Sequence, residues 1–131
     1  MALSLLIVDD SPIVRSMLVR TLQGSGLPVT AIHQAGDLAS AFATLATTEV
    51  DAAIVDHALP HDEDEVSFLE RLRAHPRLAG LGVVMVIPAD AMPGTAADVS
   101  ACGATPLRTP FTPEQVRVAV LRVTGALRDS A

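Results

Sequence analysis

The stretch LLIVDDSP, from Leu5 to Pro12, constrains the fold more than any other part of the sequence. Four consecutive apolar residues, rich in β-branching, predict a strand buried on both faces, as in a parallel sheet. Ser11 fits the N-cap of a helix and Pro12 its first position, so a helix is predicted to follow at once. The acidic pair Asp9–Asp10 thus falls where a strand ends, which is where open α/β sheets bind ligands.

The remainder of the chain alternates predicted strands and helices with short connections. Pro28 would place the second strand at a sheet edge, because proline cannot donate to a ladder. The 131 residues suit a single domain, 1–131, and the five β–α pairs predict an α/β fold with a doubly wound parallel sheet. The predicted strands are Leu3–Val8, Leu27–His33, Asp51–Val55, Leu81–Ile87 and Thr105–Arg108. The predicted helices run from Pro12 to about Gln23, from the cap Asp37 to about Thr47, from Glu63 to about His75, within Pro88–Gly103, and from Pro113 onward.

Apolar residues at helical spacing predict which face of each helix meets the sheet. The fourth helix has the smallest apolar face, so we expect it to be short and weakly held. Leu121 lies off the apolar stripe of the last helix. The predicted core-facing residues are Val14, Met17, Leu18 and Leu22 in the first helix, Leu38, Ala41, Phe42 and Leu45 in the second, Val66, Leu69 and Leu72 in the third, Met92 and Val99 in the fourth, and Val116, Ala119, Val120, Val123 and Leu127 in the last.

Charge and composition exclude several classes of function. The net charge is −6, which argues against binding a nucleic-acid backbone. All nine basic residues are arginines, and the chain has no lysine, tyrosine or tryptophan. No apolar run reaches the length of a membrane span and the start lacks a basic leader, so a cytoplasmic protein without membrane contact is predicted. The single cysteine, Cys102, excludes an intrachain disulfide and is predicted to be a packing residue.

A third carboxylate, Asp56, changes the interpretation of the acidic pair. An isolated Asp9–Asp10 pair is most simply a solvated turn, but Asp56 follows another predicted strand. Carboxyl ends of parallel strands meet at one edge, so the three acids predict a site for a divalent cation. His57 and His61 raise the alternative of a transition metal; the simpler interpretation is an acidic helix start, stabilised by the helix dipole.

Three spaced motifs stand at the ends of three predicted strands: the acidic pair Asp9–Asp10, VDHALP at Val55–Pro60 and TPF at Thr109–Phe111. Together they make the chain resemble the receiver domain of bacterial response regulators, from about residue 3 to residue 127. The resemblance implies a flavodoxin-like fold with strand order 2-1-3-4-5 and five helices. It also implies a signalling module of a two-component phosphorelay rather than an enzyme.

The resemblance assigns a role to each acidic residue. Asp56 would accept the phosphoryl group. Asp10 would bind Mg²⁺ directly and Asp9 through water, while Asp56 would add a carboxylate oxygen and Ala58 its backbone carbonyl. On the residues alone, only a divalent-cation site follows; the phosphoryl transfer comes from the resemblance.

Three of the family's other groups are missing from this chain. Ile87 stands where the family usually has Ser or Thr, or Pro88 does if the loop is aligned one residue later. Thr109 stands at the position of the family's lysine, and the fifth strand lacks the usual aromatic. Arg108 is a candidate replacement for the lysine, although strand alternation points it away from the face that Thr109 presents. We therefore expect an impaired or altered switch.

Three classes of function follow from these observations. The first is a phosphorylated receiver whose partners are a sensor histidine kinase or phosphotransfer protein and a downstream protein. The downstream partner, with a second copy of the chain as one candidate, would bind the face formed by the fourth helix, fifth strand and last helix. The second class is a pseudo-receiver that binds partners without phosphorylation. The third, a flavodoxin-like cofactor binder, lacks a Gly-rich phosphate loop and a Tyr or Trp to stack on a flavin.

Overall fold

The computed structural model describes residues 2–57 and 65–125, with the side chains of residues 65–68 outside the description. In this part of the chain, strands and helices alternate as the sequence predicts. The strands are β1 (Leu3–Val8), β2 (Val29–Ala35), β3 (Ala52–Asp56), β4 (Gly82–Ile87) and β5 (Thr105–Arg108). The helices are α1 (Pro12–Gln23), α2 (Leu38–Thr47), α3 (Glu65–Ala74), α4 (Thr95–Ala101) and α5 (Pro113–Val123).

The strands form one parallel sheet in the order β2-β1-β3-β4-β5. This is the predicted doubly wound, flavodoxin-like arrangement, and it is confirmed. β3 is the central strand and β1 is its neighbour, so the residues that follow these two strands emerge side by side at the carboxyl edge. Register pairs Val8 with Val55 and Asp56 with Val86.

Side chains that alternate along the strands divide the interior into two cores, one on each face of the sheet. We call them the α2–α4 core and the α1–α5 core after the helices that cover them. The α2–α4 core contains Leu6, Val8, Ala35, Leu38, Ala41, Leu45, Ala53, Val55, Leu69, Leu72, Leu81, Val83, Met85, Ile87, Val99 and Ala104. The α1–α5 core contains Leu3, Leu5, Ile7, Leu18, Leu22, Ala52, Ile54, Val84, Val86, Leu107, Val116, Ala119 and Val120.

The helix ends follow the local signals in the sequence. Ser11 caps α1 by accepting from the N–H of Val14 at 3.3 Å, and Asp37 caps α2 by accepting from Ser40 at 2.7 Å. Thr112 and Gln115 form a reciprocal capping box at the start of α5. These contacts satisfy backbone N–H groups that a helix leaves unpaired at its first turn.

Met17 corrects the predicted core face of α1. Its side chain is 55% exposed, whereas Leu18 and Leu22 are buried. Val19, on the other flank of this stripe, packs against the α1–α5 core. Since residues advance 100° around a helix, a stripe centred between Leu18 and Val19 leaves Met17 in solvent.

The segment before α4 corrects a second prediction. Met92 is 76% exposed, because the helix begins only at Thr95. Gly94 adopts a left-handed φ of 92° as the N-cap, a conformation that glycine accepts without strain. Of the two residues predicted for this helix, only Val99 is buried, so α4 is short and has a small apolar face as expected.

Smaller differences concern boundaries. β2 begins after Pro28 and extends to Ala35, so the proline precedes the edge strand instead of interrupting it. Val66 and Leu127, predicted to face the core, lie outside the described side chains, as does the predicted start of the third helix at Glu63. No helix in the described residues is long and apolar enough to span a membrane.

Candidate functional site: an acidic pocket at the carboxyl edge

The end of β1 carries the first two carboxylates of the site. The ladder continues one residue beyond β1, because the N–H of Asp9 donates to the carbonyl of Ala35 at 3.0 Å. This holds Asp9 in the sheet, where it is 4% exposed, while Asp10 lies in solvent. The N–H of Ser11 donates to Asp9 Oδ1 at 2.8 Å and so orients the buried carboxylate.

Asp56 completes the pocket at the end of β3. Ligand oxygens of Asp9, Asp10 and Asp56 all lie within 4.8 Å of one another. The structure therefore brings together the three acids that the sequence singles out.

The electrostatics of this cluster are unfavourable without a counter-charge. Burial raises the pKa of Asp9, and the nearby charges of Asp56 and Asp10 raise it further. The hydrogen bond from Ser11 N–H acts in the opposite direction and favours the ionised form. A cation bound among the three carboxylates would remove this repulsion.

The donor set fits Mg²⁺. Magnesium prefers hard oxygen ligands and is commonly bound through one or two carboxylates, with water and substrate oxygens completing the shell. A partly exposed cluster of carboxylates, one buried and one in solvent, supplies such ligands and leaves access for water. Ala58, whose carbonyl the resemblance adds to the set, lies outside the described residues.

Arg15 supports the pocket, and it was not predicted from the sequence as a site residue. Its Nη1 donates to the main-chain carbonyl of Asp9 at 2.5 Å, and its Nε donates to Gln34 Oε1 at 3.2 Å. The guanidinium thereby joins α1 to the ends of β1 and β2. An arginine one turn into the helix that follows the acidic pair was the available signal, but its acceptors become visible only in the tertiary structure.

The end of β4 offers an apolar side chain where the family has a hydroxyl. Ile87 is 1% exposed and belongs to the α2–α4 core. Its carbonyl accepts from the N–H of Thr109 at 2.9 Å, which extends the β4–β5 ladder by one residue. Pro88 follows and has no N–H to donate.

Thr109 and Arg108 both bind Ala89, the second residue after β4. The N–H of Ala89 donates to Thr109 Oγ1 at 3.2 Å, and Arg108 Nη1 donates to the carbonyl of Ala89 at 3.5 Å. Thr109 is half-buried and Arg108 is exposed. The loop between β4 and α4 is thus tied to the end of β5 by two side chains.

The remaining candidate ligands stand apart from this pocket. Within residues 2–57 and 65–125, the one group of potential metal ligands is the three aspartates, with no histidine among them. His57 is half-buried, and His61 lies outside the described residues. Cys102 is partly buried against the α2–α4 core, which confirms its predicted packing role.

The doubly wound parallel sheet and the acidic pocket at its carboxyl edge match the fold and the site that the sequence predicts for a receiver domain. The match to known families makes the assignment specific. The chain belongs to the response regulator receiver domain family, whose model matches residues 5–120. Members are signalling modules of two-component systems, and membership favours the receiver over the flavodoxin-like cofactor binder.

Curated relatives and solved structures agree with this family. The chain is 32% identical over 125 residues to the probable transcriptional regulatory protein TcrX of Mycobacterium tuberculosis, covering 95% of this chain and 50% of the relative. It thus spans about half the length of that relative. A chemotaxis response regulator, CheY4 of Vibrio cholerae, superposes with a TM-score of 0.77 at 27% identity, over 94% of this chain and 99% of the other. A putative response regulator from Chloroflexus aurantiacus gives 0.82 at 28% identity, over 95% and 99%.

Proposed function

We propose that this chain is a receiver that accepts a phosphoryl group on Asp56 with Mg²⁺ and acts by binding other proteins, with an impaired switch. One observation carries the proposal: oxygens of Asp9, Asp10 and Asp56 lie within 4.8 Å of one another. Such a cluster, at the ends of two central strands, matches the chemistry of a cation-assisted phosphoryl acceptor.

The proposed reaction is transfer from a phosphohistidine of a sensor kinase or phosphotransfer protein. A carboxylate oxygen of Asp56 forms the new P–O bond, while the donor's P–N bond breaks and leaves its electron pair on the imidazole nitrogen. A Mg²⁺ ion held by Asp9, Asp10 and Asp56 would neutralise charge on the phosphoryl oxygens and the carboxylates. The buried Asp9, oriented by the N–H of Ser11, would set the position of this cation site.

The impaired switch follows from the residues that occupy the positions of the family's switch groups. A response to phosphorylation requires groups that bind the phosphorylated state better than the free one. Ile87 is a buried apolar residue, the chain has no lysine, and β5 (TPLR) has no aromatic side chain. Hydrogen bonds to charged groups contribute about 1.5–3 kcal/mol each, so much of the usual driving force is missing.

A second candidate function is a pseudo-receiver that binds its partner regardless of phosphorylation. Ile87 favours it, because a side chain that is 1% exposed and packed in the α2–α4 core cannot move toward the pocket without opening a cavity. In this case the acidic pocket would bind a cation without serving as an acceptor.

For the downstream partner we propose the face formed by α4, β5 and α5. Leu121 is half-buried and belongs to neither core, so it is available for a contact on this face. A second copy of the chain is one candidate partner. The net charge of −6 supports a protein partner rather than nucleic acid.

Incubation with a small acyl phosphate and Mg²⁺, followed by intact-mass measurement, tests the proposal. The wild type should gain the mass of one phosphoryl group, slowly, and Asp56→Ala should gain none. Asp90→Ala is the matched control, because Asp90 is exposed and lies outside the cluster. Absence of the gain in the wild type would favour the pseudo-receiver; equal gain in Asp56→Ala would place the acceptor elsewhere.

A further inference from the structure

The hydroxyl of Thr109 shares a face of the sheet with the acidic pocket. Leu107 and Ile54 both belong to the α1–α5 core, and strand side chains return to the same face every second residue. Thr109 lies two residues after Leu107, and Asp56 lies two residues after Ile54. The hydrogen bond from Thr109 N–H to the carbonyl of Ile87 continues the β4–β5 ladder, so Thr109 keeps the alternation of side chains along the strand. Both side chains therefore emerge on the same side of the carboxyl edge.

The separation between them suits a bound phosphoryl group. Asp56 is in register with Val86, and Thr109 bonds to the next residue of β4. One strand lies between β3 and β5, so the two backbones are about 10 Å apart at the strand spacing of about 4.8 Å. The Asp56 side chain, a phosphoryl group and the threonine hydroxyl together bridge such a gap.

The hydrogen bonds of Thr109 leave its hydroxyl proton available. A hydroxyl has one donor and two acceptor lone pairs. Oγ1 accepts from the N–H of Ala89 at 3.2 Å, and among the bonds of the described residues this hydroxyl donates none. The bond from Ala89 occupies one lone pair, so the proton can donate elsewhere at the same time.

From this geometry we infer that Thr109 binds the phosphoryl group on Asp56 and transmits its presence to Ala89. The inference rests on the proposed phosphorylation of Asp56. The hydroxyl that meets the phosphoryl group then comes from the end of β5 instead of β4. Donation to a phosphoryl oxygen polarises Oγ1 and strengthens the bond that it accepts from Ala89, so the first response occurs in the loop after β4.

Arg108 supplies the matched control, because it contacts Ala89 from the other face. Its register partner Ile87 belongs to the α2–α4 core, and its guanidinium binds the carbonyl of Ala89 rather than the N–H. Removing the guanidinium loosens the same loop without touching the hydroxyl. Loop anchoring and phosphoryl binding can thus be separated.

The test is titration of ¹⁵N-labelled protein with beryllofluoride and Mg²⁺, with four chains compared: wild type, Thr109→Ser, Thr109→Val and Arg108→Ala. In the wild type and Thr109→Ser, the amide signal of Ala89 should move on binding. Thr109→Val keeps the shape but not the hydroxyl; it should bind about tenfold more weakly, and the Ala89 signal should no longer follow the ligand. Arg108→Ala should bind within about twofold of the wild type.

Each contrary result has a distinct meaning. If Thr109→Val binds beryllofluoride as tightly as the wild type, the inference is wrong. The substitution also removes the bond from Ala89 N–H to Oγ1, so a changed Ala89 signal in the free protein would not rescue the inference. If Arg108→Ala weakens binding as much as Thr109→Val, loop anchoring explains both and the inference is again wrong. If the wild type fails to bind while its spectrum shows a folded chain, the proposed function fails and this inference with it.

Discussion

The guanidinium of Arg15 donates to the main-chain carbonyl of Asp9 at 2.5 Å, and Asp9 carries the most buried carboxylate of the acidic pocket. The positively charged side chain of Arg15 therefore supports the pocket by binding a main-chain carbonyl rather than by pairing with a carboxylate. The same side chain reaches Gln34 on β2, so it connects three elements that meet at the carboxyl edge. The position of the site depends on a residue that need not touch the ligand.

We expect Arg15→Met to lower the free energy of unfolding by about 1–3 kcal/mol, because it deletes two hydrogen bonds from a charged donor while keeping the aliphatic stem. Urea denaturation measures this. Arg20→Met, at an exposed arginine of the same helix, is the control and should change stability by less than about 0.5 kcal/mol. If both substitutions lowered the free energy of unfolding equally, the contact between Arg15 and Asp9 would make no particular contribution to stability.

Mg²⁺ or Mn²⁺ should stabilise the fold through the pocket. Because a ligand that binds only the native state shifts unfolding by mass action, millimolar Mg²⁺ should raise the melting temperature by about 2–8 °C. Asp10→Ala should abolish the shift, whereas Asp90→Ala should retain it. No effect of Mg²⁺ on the wild type would mean that the carboxylates do not form a working cation site.

The raised pKa of Asp9 predicts a pH dependence in the metal-free protein. The native state binds this proton more tightly than the unfolded chain, so stability falls as pH rises from the ordinary aspartate range, about 4, through the raised native value. In EDTA at pH 7, Asp9→Asn should therefore raise the free energy of unfolding, and the gain should vanish below about pH 4. Asp90→Asn is the control; a loss of stability in Asp9→Asn at pH 7 would contradict the prediction.

Phosphorylation should change the structure little beyond the β4–α4 loop. Backbone amide spectra with beryllofluoride and Mg²⁺ should show shifts around the pocket, Ala89 and Thr109, but no large shifts spreading through Ala91–Phe111. Partner binding should be nearly equal for the wild type, Asp56→Ala and the beryllofluoride complex. Large shifts across that whole range would demonstrate an intact switch.

Leu121 tests the proposed partner face. Leu121→Glu should reduce self-association or partner binding in sedimentation experiments while changing stability by less than about 0.5 kcal/mol. Val120→Ala, at a neighbouring residue that is fully buried, should cost about 2 kcal/mol and leave association of the folded chain unchanged. An unfolded Leu121→Glu would show that Leu121 belongs to the core.

The sequence alone was sufficient to predict the sheet and the convergence of the acids. Asp9, Asp10 and Asp56 follow two apolar strands, and parallel order brings the ends of such strands to one edge whatever the details of packing. Helix starts were also readable, because Ser11, Asp37 and Thr112 act on backbone groups only a few residues away. Local chemistry and strand alternation determine these features.

Other features were decided only by tertiary structure. Met17 fits a helical apolar pattern as well as Val19 does, and only the angle at which α1 meets the sheet decides which flank is buried. The bonds from Arg15 to Asp9 and from Ala89 to Thr109 join a side chain to the backbone of a different element. The main-chain partners in these bonds are the carbonyl of Asp9 and the N–H of Ala89, which are groups that almost any residue would supply. No sequence pattern therefore predicts these bonds, because they depend on the strand register and on the path of the loop.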